Sequence, residues 1–152
     1  MAQENVEVVR RYFEAVEQAF QAYWDNPRGA EEALKAGELG PEGVEMARYL
    51  HPNCEWRTLM AGITYRGLVG MASGFDQLVE AAQAYAIKVK EVNDLGADKV
   101  LAVVEGAMKG KASDAEVKVM VFAVVTVDKG LIIRIDEHGD RAQALEAAGL
   151  LE

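Results

Sequence analysis

The chain predicts an α+β domain in which N-terminal helices pack on a twisted antiparallel sheet. Three observations predict it. Apolar residues between Asn5 and Trp24 recur at alternating spacings of three and four. From Tyr85 onward the period drops to two. The apolar runs that follow are joined by NDLGAD, GKASD and DKG, links too short for crossover helices, so successive strands run antiparallel.

The first helix carries Val6, Val9, Phe13, Val16, Phe20 and Tyr23 on one stripe, with Asn5 as its expected N-cap. DNPRG stops it. Residues 30–36 read as a short helix and Gly37 to Gly43 as a loop. Val44, Ala47 and Leu50 mark a brief helix ended by His51-Pro52, because the residue before a proline is pushed out of the helical region. At that helix end His51 reads as a C-terminal cap. Cys54 to Thr58 is a short strand, Gly62 and Gly67 bracket a turn, and a helix runs from about Gly70 to Ala82, weakened by Gly74. Tyr85, Ile87 and Val89 then alternate with Ala86, Lys88 and Lys90, and three further strands follow: 100–108, 116–127 and 131–138. Gly139-Asp140 ends the meander, and residues 141–148 form a tail helix.

A chain of 152 residues without repeat, linker or low-complexity segment suits a single domain over 1–152. Such a domain buries roughly two-thirds of its unfolded surface. Sixteen basic residues against 25 acidic ones leave a net charge of −9, which argues against nucleic acid and against an anionic membrane surface as partners. No apolar run approaches the ~20 residues of a membrane span, and the acidic start MAQENVEVVRR lacks a signal-peptide core. With Cys54 as the one cysteine, no intrachain disulfide is possible, and the expected compartment is the cytoplasm. Two distant histidines and one cysteine give no metal-site spacing, so neither a metal nor another cofactor is expected.

A twisted sheet cannot lie flush against straight helices along its whole length. Helix packing therefore closes one end of the concave face and leaves a wedge at the other, the kind of mostly apolar space that small molecules occupy. In the last strand Ile133 and Ile135 alternate onto one face with Glu137, and Arg134 and Asp136 share the other with His138. The more apolar set should face the helices. That makes Glu137 the expected pocket carboxylate, with a pKa raised by partial burial and fit for general acid or base work; the alternative is a solvated or ion-paired strand end. His138 is the second candidate for proton transfer, against a bland role on a polar outer face. Trp56, pointing inward, is either a core residue or an aromatic pocket wall, and Phe13 and Ile135 are candidate pocket walls. Tyr12 either offers its hydroxyl to the cavity or lies on an exposed flank. Glu105 shares a strand face with Leu101 and Val103, which places it either on a partly wet face or in the cavity beside Glu137. Strand 116–127 is apolar on both faces through its middle, and the outer one needs cover, expected from a homodimer packed sheet to sheet.

The segments ENVEVVRRYFEAV, YLHPNCEWR, TYRGLVGM and DKGLIIRIDEHGDRAQALEAAGL occur in an order that resembles the SnoaL-like branch of the nuclear transport factor 2-like superfamily. The resemblance spans nearly the whole chain. It implies a cone-shaped, strongly curved, mostly antiparallel sheet with the N-terminal helices on its concave face, a homodimer, and a catalytic acid of SnoaL-type cyclases falling at Glu137. Three departures stand out: Asp25 to Pro41 is longer than the usual connection, Asn53 stands where Asp is common, and His138 where Tyr is common. The superfamily hosts isomerases, cyclases, epoxide hydrolases, dehydratases and non-catalytic members, so fold does not fix activity. Two readings follow. One is a cofactor-independent enzyme acting on an apolar small molecule through Glu137; the other is a dimeric module that binds such a molecule without chemistry.

Overall fold

A computed structural model describes residues 2–59, 62–111 and 115–150. Five helices and six strands follow one another as α1 (Ala2–Asp25), α2 (Ala30–Ala36), α3 (Pro41–Arg48), β1 (Leu50–Arg57), β2 (Thr64–Arg66), α4 (Gly67–Glu80), β3 (Ala82–Gly96), β4 (Lys99–Gly110), β5 (Glu116–Asp128), β6 (Leu131–His138) and α5 (Arg141–Ala147). The strands form one sheet in the order β2-β1-β6-β5-β4-β3. Every pairing is antiparallel except β1 with β6, which lie parallel. Within the described residues no helix is long and apolar enough to cross a membrane.

The stripe of α1 does what its spacing requires. Val9, Phe13, Val16 and Phe20 are buried against Val100, Ala102, Val104 and Val125 of the concave face. Each such side chain contributes roughly 1.5–3 kcal/mol when fully removed from water. Asn5 is not the N-cap, because the helix begins at Ala2. It is buried one turn inside, and its amide nitrogen donates to the Asp98 carboxylate at 3.4 Å, tying the start of α1 to the β3–β4 turn. That turn holds Ala97 and Asp98 at φ 52° and 63°, the double left-handed geometry of a type I′ hairpin, and is capable of matching the twist of its strands. Lys129 and Gly130 repeat the geometry between β5 and β6.

Several boundaries move. The strand expected from Cys54 starts at Leu50, since Ile132 donates its backbone N–H to Tyr49 and draws the segment onto β6. His51 therefore caps no helix; its Nδ1 accepts from the Asn53 N–H at 3.0 Å inside β1. The expected turn region holds β2, and α4 opens at Gly67. The loop between Gly37 and Gly43 ends earlier than expected, with Pro41 at the start of α3. The GKASD link falls partly outside the described residues, at 112–114.

The tail helix also changes the account of the outer face. α5, capped by Asp140 accepting from the Gln143 N–H at 2.7 Å, folds back over the convex side. There Ala144 packs with Leu101, Val103 and Val124, all buried. The middle of the convex sheet is thus covered within the chain. Nearer the start of β5, Met120 remains exposed on this side, while the exposed Val117 and Val119 lie on the concave side with Val121.

Candidate functional site

Between the concave face and the helices lies a cavity of about 470 Å³. Its existence follows from side-chain size as much as from twist. Gly106 and Ala123 on neighbouring strands put almost no bulk where the sheet faces α1 and α4, and Phe20, Phe75 and Tyr85 line the space beyond them. Phe20 and Phe75 stack at 4.5 Å, joining α1 to α4 across the top. The Trp24 indole N–H donates to the Tyr85 carbonyl at 2.6 Å and fixes the β3 edge against α1. The Glu17 carboxylate likewise accepts from the Val89 N–H at 2.7 Å, satisfying a donor of that edge strand.

The long connection of residues 25–41 shapes the mouth. Ala33 and Leu34 of α2, with Leu39 beyond it, line the cavity. No residue of α2 caps its own N-terminus; instead Asp76 of α4 accepts from the Ala30 N–H at 2.6 Å and the Glu31 N–H at 3.1 Å. The carboxylate both fills orphan donors and meets the positive end of the helix. Arg28 and Glu38 pair at 2.6 Å across the two ends of the segment, in solvent.

Glu137 lies on the concave face. In the β5–β6 register it stands opposite Ala123, and Ile135 stands opposite Val125. Ile133 breaks the expected alternation: it is the extra residue of a β-bulge between the Thr126 and Val127 pairings, so Ile132, not Ile133, is the fully buried partner of Ile135. Both oxygens of Glu137 are held. Oε2 accepts from the Trp56 indole N–H at 2.9 Å, and Oε1 accepts from the Leu59 backbone N–H at 2.9 Å. Burial raises the carboxyl pKa above its ordinary value, and the bonds from Leu59 and Trp56 pull it partly back.

Trp56 is positioned in turn from α4. Its ring lies 5.4 Å from that of Tyr65, and both rings occupy the space above Gly74, where a Cβ would come within 2.7 Å of Trp56 and 2.8 Å of Tyr65. The glycine that weakens the helix is the one that admits the indole. Tyr65 is fixed at its far end, its hydroxyl donating to the Gln77 side chain at 2.6 Å.

Tyr12, Phe13, Trp56, Ile135 and Glu137 all line the cavity. Tyr12 is buried, and its phenol pKa is pushed up by that burial first and then by the charges of Cys54 and Glu137. Tyr85, which the sequence did not single out, is its counterpart on β3, with a pKa pushed up to about 12 by burial and by Glu137. Cys54 sits buried with its Sγ 2.8 Å from Met71 Sδ, and burial lifts the thiol to about 11, leaving an inert core group.

Two expected site residues lie elsewhere. Glu105 does share a face with Leu101 and Val103, but these belong to the cluster on the convex side beneath α5, so Glu105 stands across the sheet from the cavity. His138 stands opposite Phe122 on that same side. Its neighbours there, Arg134 and Asp136, pair at 2.7 Å, and Arg134 also reaches Glu55 at 3.0 Å, forming a polar outer face. Neither residue can meet a molecule that rests on Glu137. Among the described residues no group of three or more His, Cys, Asp or Glu side chains is arranged to hold a metal.

No family model matches the chain, and no curated protein does. Solved structures do. A nuclear transport factor 2-like protein of unknown function from Burkholderia pseudomallei superposes with a TM-score of 0.61 at 12% identity, over 94% of this chain and 95% of its own. A protein from Jannaschia sp., described provisionally as a SnoaL-like polyketide cyclase, gives 0.62 at 17% identity, over 97% and 90%. An LEH-like epoxide hydrolase from Mycobacterium tuberculosis gives 0.62 at 14% identity, over 91% and 84%. At such identities shape is shared and chemistry is free to differ. The chain has the nuclear transport factor 2-like fold, in the form common to SnoaL-like and ketosteroid isomerase-like proteins.

Proposed function

We propose that the chain is a small-molecule pocket protein in which Glu137 exchanges a proton with an apolar ligand, without a cofactor. One observation carries this reading: a desolvated carboxylate at the wall of an aromatic-lined cavity, held in a fixed orientation by Trp56 and the Leu59 N–H. A carboxyl whose pKa is raised towards the working pH can both take and return a proton. Tyr12 and Tyr85 keep their protons and are suited to donate hydrogen bonds to a ligand oxygen or nitrogen. Isomerisation, cyclisation, dehydration and hydrolysis all fit that equipment. The test is a carboxyl-resolved NMR titration of Glu137, expected to lie above the range of an ordinary glutamate; a value within that range would overturn the proposal.

A second reading, a binding module without chemistry, is favoured by the engagement of both Glu137 oxygens. It predicts an apolar compound retained through purification and visible by native mass spectrometry. Pairing of two copies through the outer face of the sheet is supported by Met120, which is exposed on that face beside Phe122 and Val124. Sedimentation at micromolar concentration should give a dimer, and a monomer would remove that part. The single, buried Cys54 fits a reducing compartment such as the cytoplasm.

A further inference from the structure

The charges around the cavity are unequal. Glu38, Glu42 and Glu137 line it, and Arg28 is the sole cation of the lining among the described residues. Arg28 is committed to Glu38 at the solvent-exposed mouth. Glu137 receives two neutral donors, an indole N–H and a peptide N–H, and makes no ion pair among the described residues. A carboxylate withdrawn from water without a counter-charge is costly, and a cation placed beside it relieves that cost. Each carboxylate oxygen accepts two hydrogen bonds, so among the described residues one site on each oxygen of Glu137 is left for a ligand. The surrounding groups suit a cation as well: the rings of Trp56, Tyr12 and Tyr85 line the same cavity, and aromatic faces attract ammonium groups. An anionic ligand would meet the opposite, a lining of negative charge in which the one described cation, Arg28, is already paired. The acidic surface of the whole chain, −9, adds the same preference at longer range.

We propose that the cavity is built for a hydrophobic amine, whose apolar body fills the space between the sheet and α1 and whose ammonium rests against Glu137. This deepens the reading of the cavity as a ligand site and rests on it. If the amine arrives neutral and Glu137 protonated, the carboxyl O–H breaks, the nitrogen lone pair takes the proton, and an ammonium–carboxylate pair results with no other reactant.

The experiment compares three probes with one tail: 4-phenylbutylamine, 4-phenylbutanol and 5-phenylpentanoate, titrated calorimetrically into the full chain and into Glu137→Gln and Glu38→Gln. The amine should bind the wild type about tenfold or more tighter than the alcohol, the difference between a charged and a neutral hydrogen bond, and the carboxylate should bind weakest. That preference should vanish in Glu137→Gln and persist in Glu38→Gln. Equal binding of amine and alcohol to the wild type overturns the proposal while leaving the pocket reading intact. So does a preference that survives in Glu137→Gln or disappears in Glu38→Gln. If none of the three binds, the pocket reading falls and this inference with it. The wild-type ratio decides the matter even if Glu137→Gln fails to fold.

Discussion

Two glycines of α4 should respond to alanine with opposite signs. In a helix interior, Gly→Ala is worth about 1 kcal/mol of stabilisation through backbone entropy alone. At Gly70 the added methyl would meet the Tyr65 backbone carbonyl carbon at 3.6 Å and its Cβ at 3.8 Å, ordinary contact, so the gain should survive in part or in full. At Gly74 the methyl would fall 2.7 Å from the Trp56 ring and 2.8 Å from the Tyr65 ring. Neither ring can swing away freely, because Trp56 is tied to Glu137 and Tyr65 to Gln77. Overpacking of this kind costs roughly 1–3 kcal/mol, which cancels or outweighs the entropic gain. We expect Gly70→Ala to raise Tm by up to a few degrees and Gly74→Ala to lower it, by up to about 8 °C for a domain of this size. The Trp56 indole N–H resonance should shift in Gly74→Ala alone, as its bond to Glu137 lengthens. Calorimetry and a two-dimensional NMR spectrum of each variant suffice. A Gly74→Ala protein more stable than the wild type, with the indole resonance unmoved, would refute the claim that this glycine exists to seat Trp56.

Other outcomes follow from single contacts. Because the folded-state pKa of Glu137 is raised, the native protein binds more protons than the unfolded chain between the ordinary glutamate pKa and the raised value. The group's contribution is therefore fully present below that window and lost as pH rises through it. Urea denaturation across pH should show wild-type stability falling relative to Glu137→Gln over that range; parallel curves would contradict it. Ala97 sits at φ 52° in a turn that favours asparagine or glycine, so Ala97→Asn should add about 0.5–1 kcal/mol, read as a higher urea midpoint at unchanged slope. Asp76→Ala should remove the cap of α2 at a cost of about 1 kcal/mol, seen as faster hydrogen exchange confined to residues 30–36. Uniform exchange rates in that variant would mean that α2 is held by packing alone.

Much of the architecture is written in periodicity, because a stripe on α1 and an alternation on β4 to β6 are direct consequences of helix and strand geometry. The same alternation says which residues share a face but not which face the helices cover. Glu105 shows the gap: its companions Leu101 and Val103 are buried, yet beneath α5, a seven-residue helix at the far end of the chain. Ile133 shows another, since a bulge shifts the phase of β6 two residues before Ile135 and nothing in LIIRI announces it. Asn5 looked like a cap because its true partner, Asp98, lies 93 residues away. Leu59 offers Glu137 a peptide N–H, a group every residue but proline possesses, so no side-chain pattern could have flagged it. Tyr85 was visible as an inward strand residue; what marks it for the site is the small Gly106 beside it, where a Cβ would come within 3.3 Å of its hydroxyl.

The parallel pairing of β1 with β6 has a kinetic consequence. Trp56 and Glu137 stand 81 residues apart, and the strands that carry them can meet only after β3, β4, β5 and their turns have been made. Closing so long a loop is slow relative to zipping the local hairpins that precede it. During synthesis the helices and the meander therefore exist before the acid has anywhere to sit. The carboxylate of the hollow is among the last groups the chain acquires, and a ribosome-bound chain lacking its final twenty residues would have walls without a centre.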